Sequence, residues 1–292
     1  MVLGEIEAGL SLWDRFSRLW RQRPVKEESI ADRFLMLFGS HGVHRNQIPR
    51  FFGHDLTIAD VQDQDVLALK LTEEILENAC SLFNVNRTWI DGASKDVYPT
   101  YCFYKQPEVF DGFLEAIVEK SSEAYFYAFL LVPRNCTYPD QAVLVLQERV
   151  GEVGDSEINR FYLCNRWSFC YWKARADLTA CLAIVAKHGI FMKGVYADPD
   201  YIKEIEDGKK LLGWGCEGGW QVEGEWWEAE DMVYQPDLFL KGLNHKDGYS
   251  DISALSRWLE LSDKGFMKTE VFPDPLVNDF QEKLFGMKNK RA

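Results

Sequence analysis

The spacing of apolar residues changes once along this chain, near residue 95, and that change constrains the fold more than any other feature. Before it, apolar side chains recur at helical intervals: Ile30, Phe34, Leu35, Leu37 and Phe38 form one stripe, and Ile75, Leu76, Ala79, Leu82 and Phe83 another. After it come unbroken apolar runs, YFYAFLLV (125–132) and AVLVLQERV (142–150), too short for buried helices and rich in branched and aromatic residues. Helices first and strands later predict an α+β fold: an N-terminal all-α bundle, then an α+β domain with a mixed sheet. Three segments are expected: an amphipathic helix within 1–25, a helical domain over 26–94, and an α+β domain over 95–292 with a Trp-rich C-terminal part. Residues 95–99 (KDVYP) read as the linker.

Punctuation residues refine the segments. Leu12, Trp13, Phe16, Leu19 and Trp20 alternate with Arg15, Arg18 and Arg21, giving a helix with an apolar and a basic face that Pro24 ends. Self-association or docking on a protein partner is the expected use of that helix. Ser29 caps the next helix, and Gly39 and Gly42 punctuate its end. HRNQIPRFF forms a short helix closed by Gly53, and Thr57 and Asp60 stand at capping-box spacing before a third. Leu71-Thr72 opens a fourth. Farther on, helices are predicted from Pro107, over Asp177–His188, from Asp198-Pro199 to Leu212, and around Ser253–Leu261 and Pro275–Phe285. RFYLC and SFCYWK flank Asn165-Arg166-Trp167 and predict a hairpin there. The stretch GWGCEGGWQVEGEWWE (213–228) lacks the Lys-Ser/Thr ending of a phosphate loop, and reads as twisted strands or a loop laying Trp over the core.

Charge excludes some partners. The chain of 292 residues carries 33 basic and 46 acidic residues, net −13, which disfavours anionic surfaces unless positive charge is concentrated locally. No apolar stretch approaches the roughly 18 residues of a membrane span, and the N-terminal stretch is acidic where an export signal is basic, so no membrane is expected and a cytoplasmic location is. The seven cysteines include no CxxC pair and read as free, mostly buried thiols.

No catalytic residue, metal site or cofactor is expected. His41, His44 and His54 cluster in sequence, but Gly42 interrupts any helix that would let the first two share a metal. Cys164, Cys170 and Cys181 lie in apolar surroundings rather than beside a base. One set of residues can hold a planar or anionic ligand: Arg160, Arg166, Trp167, Trp172 and Arg175, basic and aromatic residues on what reads as one sheet.

The segment from Ser29 to Gly92 resembles the lambda-repressor-like (Xre-type) helix-turn-helix family, covering about a fifth of the chain. The resemblance rests on LTEEILENACSLFNVNRTWIDG, in which Leu82-Phe83, Val85 and Trp89-Ile90 match the family's closing pattern, and on HGVHRNQIPRFFG, similar to its second helix. It implies DNA contacts from Arg45, Asn46, Gln47 and Arg50, with Thr57 near the bases. The function expected is that of a non-enzymatic regulator-like protein, its DNA-binding module fused to an α+β sensing or interaction domain. The stretch in the recognition-helix position, LTIADVQDQDVL, carries Asp60, Asp63 and Asp65 and no base. Ser29 to Ser94 holds five basic and nine acidic residues, net −4. That charge supports an alternative, a protein-interaction scaffold that has lost DNA binding. An enzyme with a site in the α+β domain is a second alternative.

Overall fold

Alternation along three strands divides the core into two faces. In β3 (Gln141–Val153) and β4 (Ser156–Ser168), Leu144, Leu146, Tyr162 and Cys164 join one apolar cluster, while Val143, Val145, Phe161 and Leu163 join the other. Strand β2 (Phe126–Pro133) does the same with Leu130 and Leu131. A strand with both faces apolar is a central strand, covered above and below. Helices cover both sides here. The structure is a computed structural model that describes residues 28–121, 125–135, 140–213, 219–244, 250–269 and 277–290. The amphipathic stretch at 9–22 therefore lies outside the described residues.

Among the described residues, six strands form one mixed sheet in the order β1-β4-β3-β2-β5-β6. The outer members are β1 (Thr100–Cys102), β5 (Phe191–Ala197) and β6 (Glu225–Trp227). β1 runs parallel to β4 and β2 parallel to β5, and the other neighbours are antiparallel.

The N-terminal helices cover one face. The first, α1 (Ile30–Ser40), begins with a Ser29–Asp32 capping box. A 3₁₀ turn (Arg45–Gln47) leads into α2 (Ile48–Phe52), where Pro49 sits in the first turn and donates nothing. One expected helix divides into α3 (Ile58–Gln62) and α4 (Gln64–Lys70), because the Asp63 carboxylate accepts from the amides of Asp65 and Val66 and starts a new helix. α5 (Glu73–Phe83) is capped by Thr72 and ends at Asn84 in the left-handed region, before α6 (Arg87–Ile90). Phe34, Phe38 and Phe83 of this layer share a cluster with Phe161 and Leu163 of the sheet. Val97 and Tyr98, read as linker, are 2% and 1% exposed within it, and both of their amides bond the Gly208 carbonyl.

The opposite face is built from α7 (Pro107–Lys120), α8 (Trp172–Lys187), α12 (Ser250–Asp263) and α13 (Val277–Asn289). α8 is the centre: every residue from Ala174 to Ala186 is buried. The short helices α9 (Pro199–Glu206), α10 (Asp231–Tyr234) and α11 (Pro236–Leu240) fill in around them, α9 on the face of the N-terminal layer.

Three local expectations are corrected. The hairpin lies at Gly154-Asp155, a two-residue loop with Gly154 at φ +64°, and not at Asn165-Arg166-Trp167. The latter residues stay in β4 as a bulge, with Arg166 at φ +71°. Phe169–Lys173 is not a strand. The chain turns at Phe169–Tyr171, so Trp172 and Lys173 open α8, five residues before its expected start. Cys170 is disulfide-bonded, contrary to its reading as a core thiol. Cys80, Cys164 and Cys181 are free and buried, and Cys102 is free and exposed.

Candidate functional site

The residues expected to meet DNA lie together at the outer edge of the helical layer, and most of their side chains are used locally. Gln47 Oε1 accepts from the His44 amide at 2.9 Å, and the Asn46 amide oxygen accepts from Gln62. The Thr57 hydroxyl donates to Asp60 Oδ2 at 2.7 Å and accepts from its amide at 3.2 Å, a capping box that also holds the Asp60 carboxyl below the usual range. Arg45 and Arg50 have no ion-pair partner among the described residues. The acids that set the charge of this segment are thus partly structural: Asp60 closes the start of α3 and Asp63 the start of α4.

The outward surface of α3 and α4 carries exposed apolar side chains among polar ones. Ile58 is 58% exposed, Leu69 89%, and Val66 lies one turn from Leu69 on α4. Asp55, Asp63 and Asp65 of the same stretch are exposed, as is Lys70 next to Leu69. Gln64 bonds Asp32, which ties the start of α4 to the start of α1.

The five ligand-binding candidates do not converge. Trp167 is fully buried beneath the sheet and Arg166 is exposed on the bulge. Trp172 is half-buried in the first turn of α8, with Lys173 Nζ 5.2 Å from its ring. Arg175 is fully buried one turn on, where Nε donates to the Phe169 carbonyl at 2.9 Å and Nη1 to the carbonyls of Phe239 at 2.8 Å and Lys241 at 3.2 Å.

Arg160 lies elsewhere, in a cleft of about 920 Å³ between the end of α7 and the β3–β4 ribbon. Its partner there escaped the sequence reading. Glu148, 2% exposed, receives Arg160 Nη2 at 3.0 Å, the Tyr162 hydroxyl at 2.7 Å and Ser121 Oγ at 2.9 Å, with Arg160 Nε 2.7 Å away. Burial, and then the bond to Glu148, pushes the Tyr162 phenol up. Both carboxylate oxygens are engaged, so Glu148 ties the end of α7 to the β3–β4 ribbon. The one signal in the sequence is an acid in the middle of an apolar strand run.

The histidines are apart as well. His44 Nδ1 caps the 3₁₀ turn, and the His54 ring lies 4.3 Å from Phe52. His41 is buried between the helical layer and the sheet, with Nδ1 2.7 Å from the Leu37 carbonyl and the ring 4.2 Å from Phe83. Burial lowers its pKa to about 4, against the smaller opposing effect of the Leu37 carbonyl. No group of three metal-ligating side chains occurs among the described residues, and no described helix is long and apolar enough to cross a membrane. No protein-family model, curated protein or solved structure is found to match the chain.

Proposed function

We propose that this is a non-enzymatic interaction protein whose α3–α4 face receives a basic amphipathic helix from a partner protein. The observation that carries this reading is the exposure of Ile58, Val66 and Leu69 on the same stretch as exposed Asp55, Asp63 and Asp65. Apolar side chains grouped on a surface mark an interaction site, and accompanying acids select a cationic partner while repelling phosphates. An amphipathic helix with Leu and Trp on one face and Arg on the other meets both demands.

The second reading keeps the lambda-repressor-like helix-turn-helix and its DNA. It is favoured by Arg45 and Arg50, whose guanidinium groups are free of ion pairs among the described residues, with Asn46, Gln47 and Thr57 beside them. One titration separates the two. The full chain is mixed at low salt with a synthetic Leu/Trp/Arg amphipathic peptide and, in parallel, with random duplex DNA. Saturable peptide binding that Leu69→Asp abolishes supports the interaction reading. Salt-dependent duplex binding that survives Leu69→Asp and is lost in an Arg45→Ala/Arg50→Ala pair replaces it.

A further inference from the structure

Arg175 is a cation in the core with no ion-pair partner among the described residues. It is fully buried, its guanidinium carbon lies 3.6 Å from the centre of the Phe169 ring, and its hydrogen-bond acceptors are three backbone carbonyls and, at 3.9 Å, the Met232 sulfur. Burial lowers its pKa to about 9, with the charges of Tyr196 and Asp140 opposing. A buried guanidinium commonly has a carboxylate or phosphate partner, because carbonyls satisfy its donors but not its charge. One donor is not satisfied either: Nη2 is buried and has no hydrogen-bond partner among the described residues.

A second orphan lines the same space. Trp227 Nε1 is also buried without a partner among the described residues. Arg175 and Trp227 both line a cavity of about 260 Å³, together with Phe169, Tyr196, Met232 and Leu238. The Trp227 ring is stacked on Tyr196, centroids 5.4 Å apart and planes 21° apart. It lies flat against β5 because residue 194 is glycine, where a Cβ would fall inside the indole. Two acids at the rim are already neutralised, Glu225 by Arg134 and Glu228 by Lys193. Asp231 and Lys241 complete the charged lining and are opposite in sign. Arg175 itself makes no ion pair among the described residues.

We propose that this cavity binds a small organic carboxylate, one oxygen accepting from Arg175 Nη2 and the other from Trp227 Nε1, with its apolar body against Tyr196 and Met232. Two open donors and one positive charge match a carboxylate. A phosphate dianion carries more charge and more acceptors than these groups answer, and the aromatic and thioether walls favour a body that inorganic ions lack. The proposal is independent of what the α3–α4 face binds.

The test uses the full chain and benzoate, followed by Trp fluorescence and by thermal shift. Benzamide serves as the uncharged isostere, and inorganic phosphate and chloride as anions without an apolar body. Expected is saturable benzoate binding that raises Tm, with benzamide, phosphate and chloride at least about tenfold weaker, since a hydrogen bond to a charged group is at stake. Trp227→Phe keeps the ring and removes the donor, and is expected to weaken benzoate about tenfold. Arg175→Met is expected to abolish binding; where that variant does not fold, Trp227→Phe carries the test alone. Benzamide binding as tightly as benzoate, benzoate binding unchanged in Trp227→Phe, or no saturable response to benzoate would each overturn the proposal.

Discussion

Acid should loosen the seam between the helical layer and the sheet, and His41 should be the cause. Its imidazole is 3% exposed, hydrogen-bonded through Nδ1 to the Leu37 carbonyl, and packed on Phe83 from the helices and, at 5.5 Å, Phe161 from β4. The folded pKa, lowered by burial to about 4, lies below the ordinary imidazole value of 6.5. Between those two values the unfolded chain holds a proton that the folded chain lacks. Unfolding is therefore favoured as pH falls through that window, and the stability is fully present above about pH 6.5. The arithmetic gives a loss of about 3 kcal/mol at pH 4. The assay is urea denaturation of the wild type and of His41→Asn from pH 7 to pH 4. Asparagine keeps a donor for the Leu37 carbonyl and cannot titrate. It costs about 1–3 kcal/mol at every pH through the lost ring contacts, so the readout is the difference between the two pH dependences. The wild type should lose about 3 kcal/mol more than the variant over that range. Parallel curves would refute the assignment of a neutral buried imidazole.

Three other outcomes follow from the geometry. Arg160→Met strands Glu148 with only Tyr162 and Ser121 as donors, and should lower the unfolding free energy by about 2–4 kcal/mol in denaturant titration. Gly194→Ala drives a methyl into the Trp227 indole, and should cost about 1–3 kcal/mol and shift the Trp emission. Native-state alkylation read by peptide mass spectrometry should modify Cys102 first, and Cys80, Cys164 and Cys181 only once denaturant is added.

The sequence is most legible where structure is local. Ser29, Thr57 and Thr72 cap helices through bonds that span three residues, so spacing alone reveals them. The runs that became β2 and β3 announce themselves because both faces are buried. Asn165-Arg166-Trp167 misleads because a bulge and a turn use the same polar interruption. The start of α8 is hidden because Tyr171 caps it with no side-chain bond, and its first turn carries Trp172 and Lys173 in an alternating aromatic run. The candidate site is less legible still. Arg175 is marked by composition, but its carbonyl partners at Phe239 and Lys241 lie 64 and 66 residues away, and Trp227 reaches the same cavity from a different strand. Glu148 and Arg160, by contrast, face each other across adjacent strands, a pairing set jointly by the hairpin at Gly154-Asp155 and the bulge between Arg149 and Gly151.

The burial of α8 has a consequence for how the chain is made. Its inner side can settle on β4 as soon as both exist, and α7 already stands beside it. Beside the short α10, the remaining cover is α12, encoded from Ser250 onward, more than sixty residues after α8 ends at Lys187. During synthesis, at about 5–20 residues per second, that helix waits several seconds with an apolar flank bare to the ribosome exit and its attendant chaperones. A stop codon shortly before Ser250 should therefore yield aggregates rather than a smaller working protein.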